Sequence, residues 1–371
     1  MFKRREMFIA STNPREIAKE IKQHVGQHAA LISVAENTVV DILELIDALK
    51  DNSTKFIGGI FPKIIHNDSI NDQGIVVNTL KNVERLEVIK NISARDFEVP
   101  GINFKENTSY SLITYVDGLT SNISNFLNKL YEKYGMHTDY FGGGAGSLTL
   151  QQKPCVFSNE GFFKDAAVIC IMEMKSSIGV KHGWEKLSGP MIVTKADANV
   201  IKEINWKNAF EVYKEIVEPD SNQTFTSENF FDIAKGYPFG IVKTDGECII
   251  RDPLMADEEG NLICVGEVEE NTMLNLMKGY NTSLIEAAKS AALESISKTD
   301  TPEKAIIIDC ISRILFLEDE FQIELNEIIK VLREKHENIS ISGALTLGEI
   351  SSYGEGYLEF YNKTCVVGLF N

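Results

Sequence analysis

The sequence predicts an α+β (mixed α/β) fold assembled from repeated strand-helix-strand-strand units. Two observations predict it: one apolar rhythm is written three times, and the second strand of every copy is broken by glycine. The first copy takes a strand at 29–35, a helix at 39–50, the glycine strand at 56–61 and a returning strand at 74–78. The second uses 111–116, 123–135, 140–146 and 165–172, and the third 305–312, 320–336, 339–345 and 356–362. Such units give mixed, largely antiparallel sheets covered by helices. Whether they share one sheet or pack as two, as in an αββα layered sandwich, is open at this level. A need common to all copies explains glycine in the same place: it bends a strand or admits another backbone.

Ahead of the first copy, Asn13 and Pro14 signal a helix start, with Glu16 at its positive end. The polar stretch between 57 and 78 is the connection of the first hairpin. After residue 174 the rhythm changes. A turn at 179–183 leads to strands at 191–193 and 200–204, joined by the hairpin Asp197-Ala198-Asn199. A helix at 209–217 is stopped by Pro219, and another covers 227–234. A meander of 239–243, 246–254 and 261–268 follows, with turns at Asp245-Gly246 and Glu258-Glu259-Gly260. A helix at 285–297 then enters the third copy. With 371 residues the chain has room for two domains, divided as 1–205 and 206–371.

The net charge of −17 argues against nucleic acid and anionic membranes, which both need a basic face. Six cysteines are scattered without a C-x-x-C pair, so no zinc ribbon or dithiol centre is indicated. Buried free thiols fit a reducing compartment. No run of about 18 apolar residues suggests membrane insertion, and the expected location is the cytoplasm. The N-x-[ST] sequons would carry no sugar there.

Chemistry-bearing residues gather in the third copy. Cys310 and Arg313 end its first strand, Thr346, Gly348 and Glu349 follow its glycine strand, and Asn362 and Thr364 lie on its last strand. Ligands collect at strand ends in sheets with crossover helices. A guanidinium and a carboxylate lining one pocket suit a zwitterion, with Arg251 able to join them. The plainer alternative pairs Arg313 with Glu349 as a structural bridge. His182, in a glycine-flanked turn beside Trp184, is either an axial haem ligand or a turn histidine stacked on the indole. His24 and His28 are spaced for a metal but lack a third ligand. The run 142–146 lacks the Lys-Ser/Thr of a phosphate loop. Cys310 is the only thiol with a nucleophile reading, and its apolar neighbours argue for an inert group. No enzyme motif is present.

The segments FIGGIF, FGGGAG, GVKHGW, RDPL, DCISRILFLEDE, GALTLGEI and YNKTCVVGLF, taken in this order, resemble the FIST family of intracellular sensor proteins. The resemblance makes 1–205 a FIST N-terminal-like domain and 206–371 a FIST C-terminal-like one. It implies sensing of a small molecule, an amino acid or related metabolite, without catalysis. It also implies signalling to a partner such as a histidine kinase, a chemoreceptor or a cyclic-dinucleotide enzyme. Some family members resemble haem-binding nitric oxide sensors, which is the alternative for His182. With no output domain fused, this chain would act through a separate protein, with no metal and no cofactor other than that alternative haem.

Overall fold

A computed structural model describes residues 6–94, 96–226, 228–243, 248–299, 301–352 and 358–371. The first part contains β1 (Glu6–Ile9), α1 (Pro14–Val25), β2 (Ala29–Ala35), α2 (Ile42–Asp51), β3 (Phe56–Phe61), β4 (Lys63–His66), β5 (Ser69–Asn71) and β6 (Ile75–Leu80). The second contains β7 (Val83–Lys90), β8 (Tyr110–Asp117), α3 (Ile123–Tyr134), β9 (Thr138–Ala145), β10 (Val156–Ser158), β11 (Gly161–Phe163) and β12 (Ala166–Met172). The third opens with β13 (Ser177–Lys181) and is then interrupted by an insertion. That insertion holds β14 (Glu185–Asp197), β15 (Val200–Ile204), β16 (Lys207–Asn208), α4 (Ala209–Ser221), α5 (Phe230–Ala234), β17 (Phe239–Val242), β18 (Cys248–Ala256), β19 (Leu262–Val265) and β20 (Met273–Lys278). The third part resumes with α6 (Asn281–Ser297), β21 (Lys304–Cys310), α7 (Ile311–Leu317), α8 (Phe321–Lys335), β22 (Ser340–Thr346), β23 (Glu349–Ser352), β24 (Leu358–Tyr361) and β25 (Cys365–Phe370).

The three copies form three six-stranded sheets of identical plan. Their orders are β1-β6-β2-β3-β10-β11, β7-β12-β8-β9-β23-β24 and β13-β25-β21-β22-β4-β5. In each, the copy's first and second strands are parallel (β2/β3, β8/β9, β21/β22) and its returning strand is antiparallel to the first. The outer hairpin of each sheet comes from another copy. β4–β5 of the first copy joins β22 of the third, β10–β11 of the second joins β3 of the first, and β23–β24 of the third joins β9 of the second. The exchange closes into a ring. One face of every sheet meets a shared core, in which Leu31 and Phe61, Tyr115 and Phe141, and Ile306 and Val366 belong to one cluster. Helices α1 and α2 cover the outside of the first sheet, α3 the second, and α6 and α8 the third.

The inserted strands form a small barrel, β14-β20-β17-β18-β19-β15, closed by pairing of β14 with β15 and filled partly from α4 and α5. Strands from both sides of residue 205 share the barrel and two of the sheets.

The fold class and the repeats agree with the sequence; several details differ. The returning strand of the third copy is β25, because the chain first sends β23–β24 out to the second sheet. The stretch between 57 and 78 is likewise a hairpin, exchanged onto β22. Helix α4 continues through Pro219 to Ser221, because Pro219 forfeits one i→i−4 bond so close to the end that the turn already begun still closes. The beginnings of the segments expected at 227–234, 246–254 and 356–362, and the turn Asp245-Gly246, lie outside the described residues.

The recurrent glycine has one cause. Gly58, Gly142 and Gly343 are register partners of Ile32, Thr114 and Ile307. A Cβ on them would stand 2.7, 1.9 and 2.1 Å from the carbonyl oxygens of those partners. We expect Gly343→Ala to cost about 3 kcal/mol through overpacking. Gly26→Ala meets no atom within 4 Å and pays only for its backbone, φ +62° and ψ −112°, roughly 1–2 kcal/mol. Urea unfolding of both variants checks the difference.

Candidate functional site

The ends of β21 and β22, the start of α7, the connection between β24 and β25, and strand β18 of the barrel meet in a buried polar cluster. Arg313, in the first turn of α7, is 0% exposed. Its Nε and Nη2 donate to the Glu324 carboxylate, and Nη2 also donates to the Leu284 carbonyl at 2.9 Å. Its Nη1 donates to the carbonyls of His182 and Lys363. Asp309 lies 3.3 Å from Nε. A guanidinium has five N–H groups, and all five are occupied. Burial works against its charge, but Glu324 and Asp309 hold it above the ordinary arginine value. Arg313 is therefore not a clamp for a ligand carboxylate, nor is it the partner of Glu349.

Glu349, the first residue of β23, is 0% exposed. It accepts from the Thr364 amide at 3.1 Å and from the Cys310 thiol, and lies 3.1 Å from the Thr346 hydroxyl. Burial, then Asp309, raises its carboxyl well above the usual range. Burial raises the neighbouring Asp309 carboxyl as well, so the two acids together favour keeping a proton here. The Thr346 hydroxyl has one hydrogen and two acceptors in reach, Glu349 and the Asp309 carbonyl at 3.3 Å. A protonated Glu349 resolves this by donating to Thr346, which then donates to Asp309.

Cys310 ends β21 with its thiol pushed well up by burial and then by Glu349, which removes the nucleophile reading. Gly348 occupies a turn at φ +114°, where a Cβ would strike the Phe360 ring at 2.2 Å. Its role is packing. Thr364 donates through its hydroxyl to the Asn362 carbonyl at 2.8 Å. Asn362 and Thr364 sit not on the last strand but in the connection preceding it. Asn362 is 1% exposed, and among the described residues neither its Nδ2 nor its Oδ1 has a hydrogen-bond partner.

Strand β18 faces this connection. Its Arg251 is 4% exposed. Nε donates to the Glu267 carbonyl at 2.9 Å and Nη1 to the carbonyls of Ile250 and Phe360 at 3.0 and 2.9 Å, leaving Nη2 outside these bonds. Burial lowers its pKa. Next to it, Asp252 accepts from Ser312 at 2.6 Å and pairs with Lys363 at 3.1 Å. The Lys363 ammonium also lies 4.9 Å from the Trp184 ring centre.

The surroundings of His182 do not fit a haem ligand. Its Nδ1 accepts the Trp184 amide at 2.9 Å, so the ring hydrogen sits on Nε2, the atom an iron would need. Burial, with Arg313 and Lys181, lowers its pKa to about 4. Among the described residues, no group of three His, Cys, Asp or Glu could hold a metal.

Sequence reasoning missed Asp309, Glu324, Asp252 and Lys363. Glu324 was visible in principle: it shares the buried face of α8 with Phe321, Leu325 and Ile328. Nor is the third copy alone in burying an acid at its strand end. Asp117 holds the same place in the second, accepting from Leu119, Gln152 and Asp165.

Residues 29–207 match the FIST N domain and residues 209–352 the FIST C domain. No curated protein matches the chain.

Removing one member of a buried ion pair leaves the others uncompensated. Arg313→Ala should accordingly lower unfolding stability by about 4 kcal/mol, read by urea titration. Glu349 gives a pH signature. A carboxyl whose folded pKa is raised stabilises most below its unfolded pKa, and that contribution is lost as pH rises toward the folded value. Wild-type stability should fall from pH 5 to pH 9 more steeply than that of Glu349→Gln. The gap is about 1.4 kcal/mol per unit of displacement; parallel profiles would refute it.

Proposed function

The chain belongs to the FIST family, whose domains are signal-transduction sensors, and we propose that it senses a small zwitterionic metabolite of the amino-acid class at the seam between the barrel and the third sheet. The observation that carries the reading is Asn362. A buried amide without partners costs about 1–3 kcal/mol, and a fold retains such a group where a ligand supplies the missing bonds. Its N–H groups suit a carboxylate and its carbonyl suits an ammonium. Arg251 supports the reading: three backbone carbonyls fix its guanidinium while one nitrogen stays available for an anionic group. Arg251 thus takes the carboxylate-gripping role expected of Arg313.

Binding here engages both sides of a junction spanned by polar contacts from Asp252 to Ser312 and Lys363, from Arg251 to the Phe360 carbonyl, and from Lys363 to the Lys235 carbonyl. A ligand that touches β18 and the 361–364 connection favours one setting of the barrel against the sheets, which is the differential contact a sensor needs. A separate partner then reads that setting. A binding site rather than a catalytic one fits this chemistry: burial raises the Cys310 and Cys365 thiols well above their usual range, and the Glu349 carboxyl that accepts from Cys310 is itself raised.

A thermal-shift screen of the amino acids and related carboxylates should find a ligand that raises the melting temperature. At a hundredfold excess over Kd the stabilisation is about 2.7 kcal/mol. Asn362→Ala should melt no lower than wild type and lose the shift, as should Arg251→Met. An undiminished shift in Asn362→Ala would sink the assignment.

A further inference from the structure

The chain has two tryptophans. Trp184 is 3% exposed, whereas Trp206 is 78% exposed, more than any other large hydrophobic residue described. Asn205 and Trp206 form the two-residue turn joining β15 to β16, with φ of +52° and +58°. The second place of such a turn favours glycine. A bulky aromatic side chain in left-handed backbone is a local cost without evident benefit to the fold. The turn is nevertheless held firmly. The Trp206 amide donates to the Thr194 hydroxyl at 3.0 Å, and the Asn205 side chain accepts the Ile192 amide at 3.0 Å. Ile192 stands opposite Met273, itself 47% exposed. The barrel thus presents an exposed indole on a firmly held turn, with a second exposed apolar residue, Met273, on the strand paired with β14.

The charge around this patch states what can cover it. Lys195 is paired with Glu203 and Lys207 with Glu215, at 3.8 and 3.9 Å. Glu269 and Glu270 are exposed across from β14, with Glu270 accepting the Ala196 amide at 3.3 Å. The segment 185–279 holds nine basic and 18 acidic residues, a net of −9 within the chain's −17. A second copy would bring the same acid against itself. Nucleic acid and anionic lipid are repelled for the same reason.

We propose that Trp206 anchors a protein partner whose surface offers an apolar cleft rimmed by lysine and arginine, and that the acidic barrel is the output face of the sensor. An aromatic anchor within a charged rim is the usual anatomy of a binding hot spot. The proposal rests on the sensor reading for its need of a partner, but not on the ligand site.

The test places p-benzoylphenylalanine at Met273 of the full chain in its native host, followed by irradiation and identification of the contact peptide. We expect an adduct with another protein through a peptide richer in Lys and Arg than in Asp and Glu. Its yield should fall at least tenfold in a Trp206→Gly background. The purified Trp206→Gly protein should melt at or above the wild-type temperature, because glycine suits the turn. No adduct, an adduct between copies of this chain, an acidic contact peptide, an undiminished yield, or a lower melting temperature would each overturn the proposal. Trp206→Gly keeps Asn362 and Arg251, so a ligand-induced shift retained there separates failure of the docking surface from failure of the ligand site.

Discussion

The guanidinium of Arg313 is the fixed point of the third copy and of its junction with the inserted barrel. It gathers α6 through the Leu284 carbonyl, α8 through Glu324, the turn after β13 through His182, and the approach to β25 through Lys363. None of these partners is near it in sequence except Asp309, so a buried charge brings distant segments to one place. Its desolvation is offset only while every donor is satisfied and the surplus acid stays protonated. The neighbouring ion pair between Asp252 and Lys363 extends the same network into the barrel. The polar seam is thus a fastening in which buried ionisable groups from the barrel and the third copy meet.

The repeat was legible because it is carried by apolar periodicity and glycine, both local signals. Gly58, Gly142 and Gly343 mark equivalent places, and the backbone approach they permit is the reason sequence suggested. The exchanged hairpins were not legible. Nothing local in the 63–71 segment indicates that its partner is β22, almost three hundred residues away, since register with a distant strand is decided by the assembled core. For the same reason the return of the third copy was assigned to the strand that leaves for the second sheet.

The site was legible in part. Cys310, Arg313, Thr346, Glu349 and Thr364 do meet, because strand ends and the segments following them converge in this type of sheet. Their roles were not legible, since an arginine that binds a ligand and one that binds carbonyls look alike in sequence. Glu324, set among apolar neighbours on α8, decides the matter by saturating Arg313 together with the Leu284, His182 and Lys363 carbonyls. Arg251 was the better candidate on geometry, and only the barrel's packing against the 360–363 segment reveals it.

The ring of traded hairpins also bears on biogenesis. As the chain leaves the ribosome, the first copy offers β4 and β5 long before β22 exists to receive them. The second copy's β9 must wait in the same way for β23, so one sheet stands with an open edge and one hairpin stands without its sheet until the third copy is made. Such edges invite pairing between nascent chains. A message cut short before residue 340 would therefore yield a product prone to aggregation, whatever the fitness of its amino-terminal core.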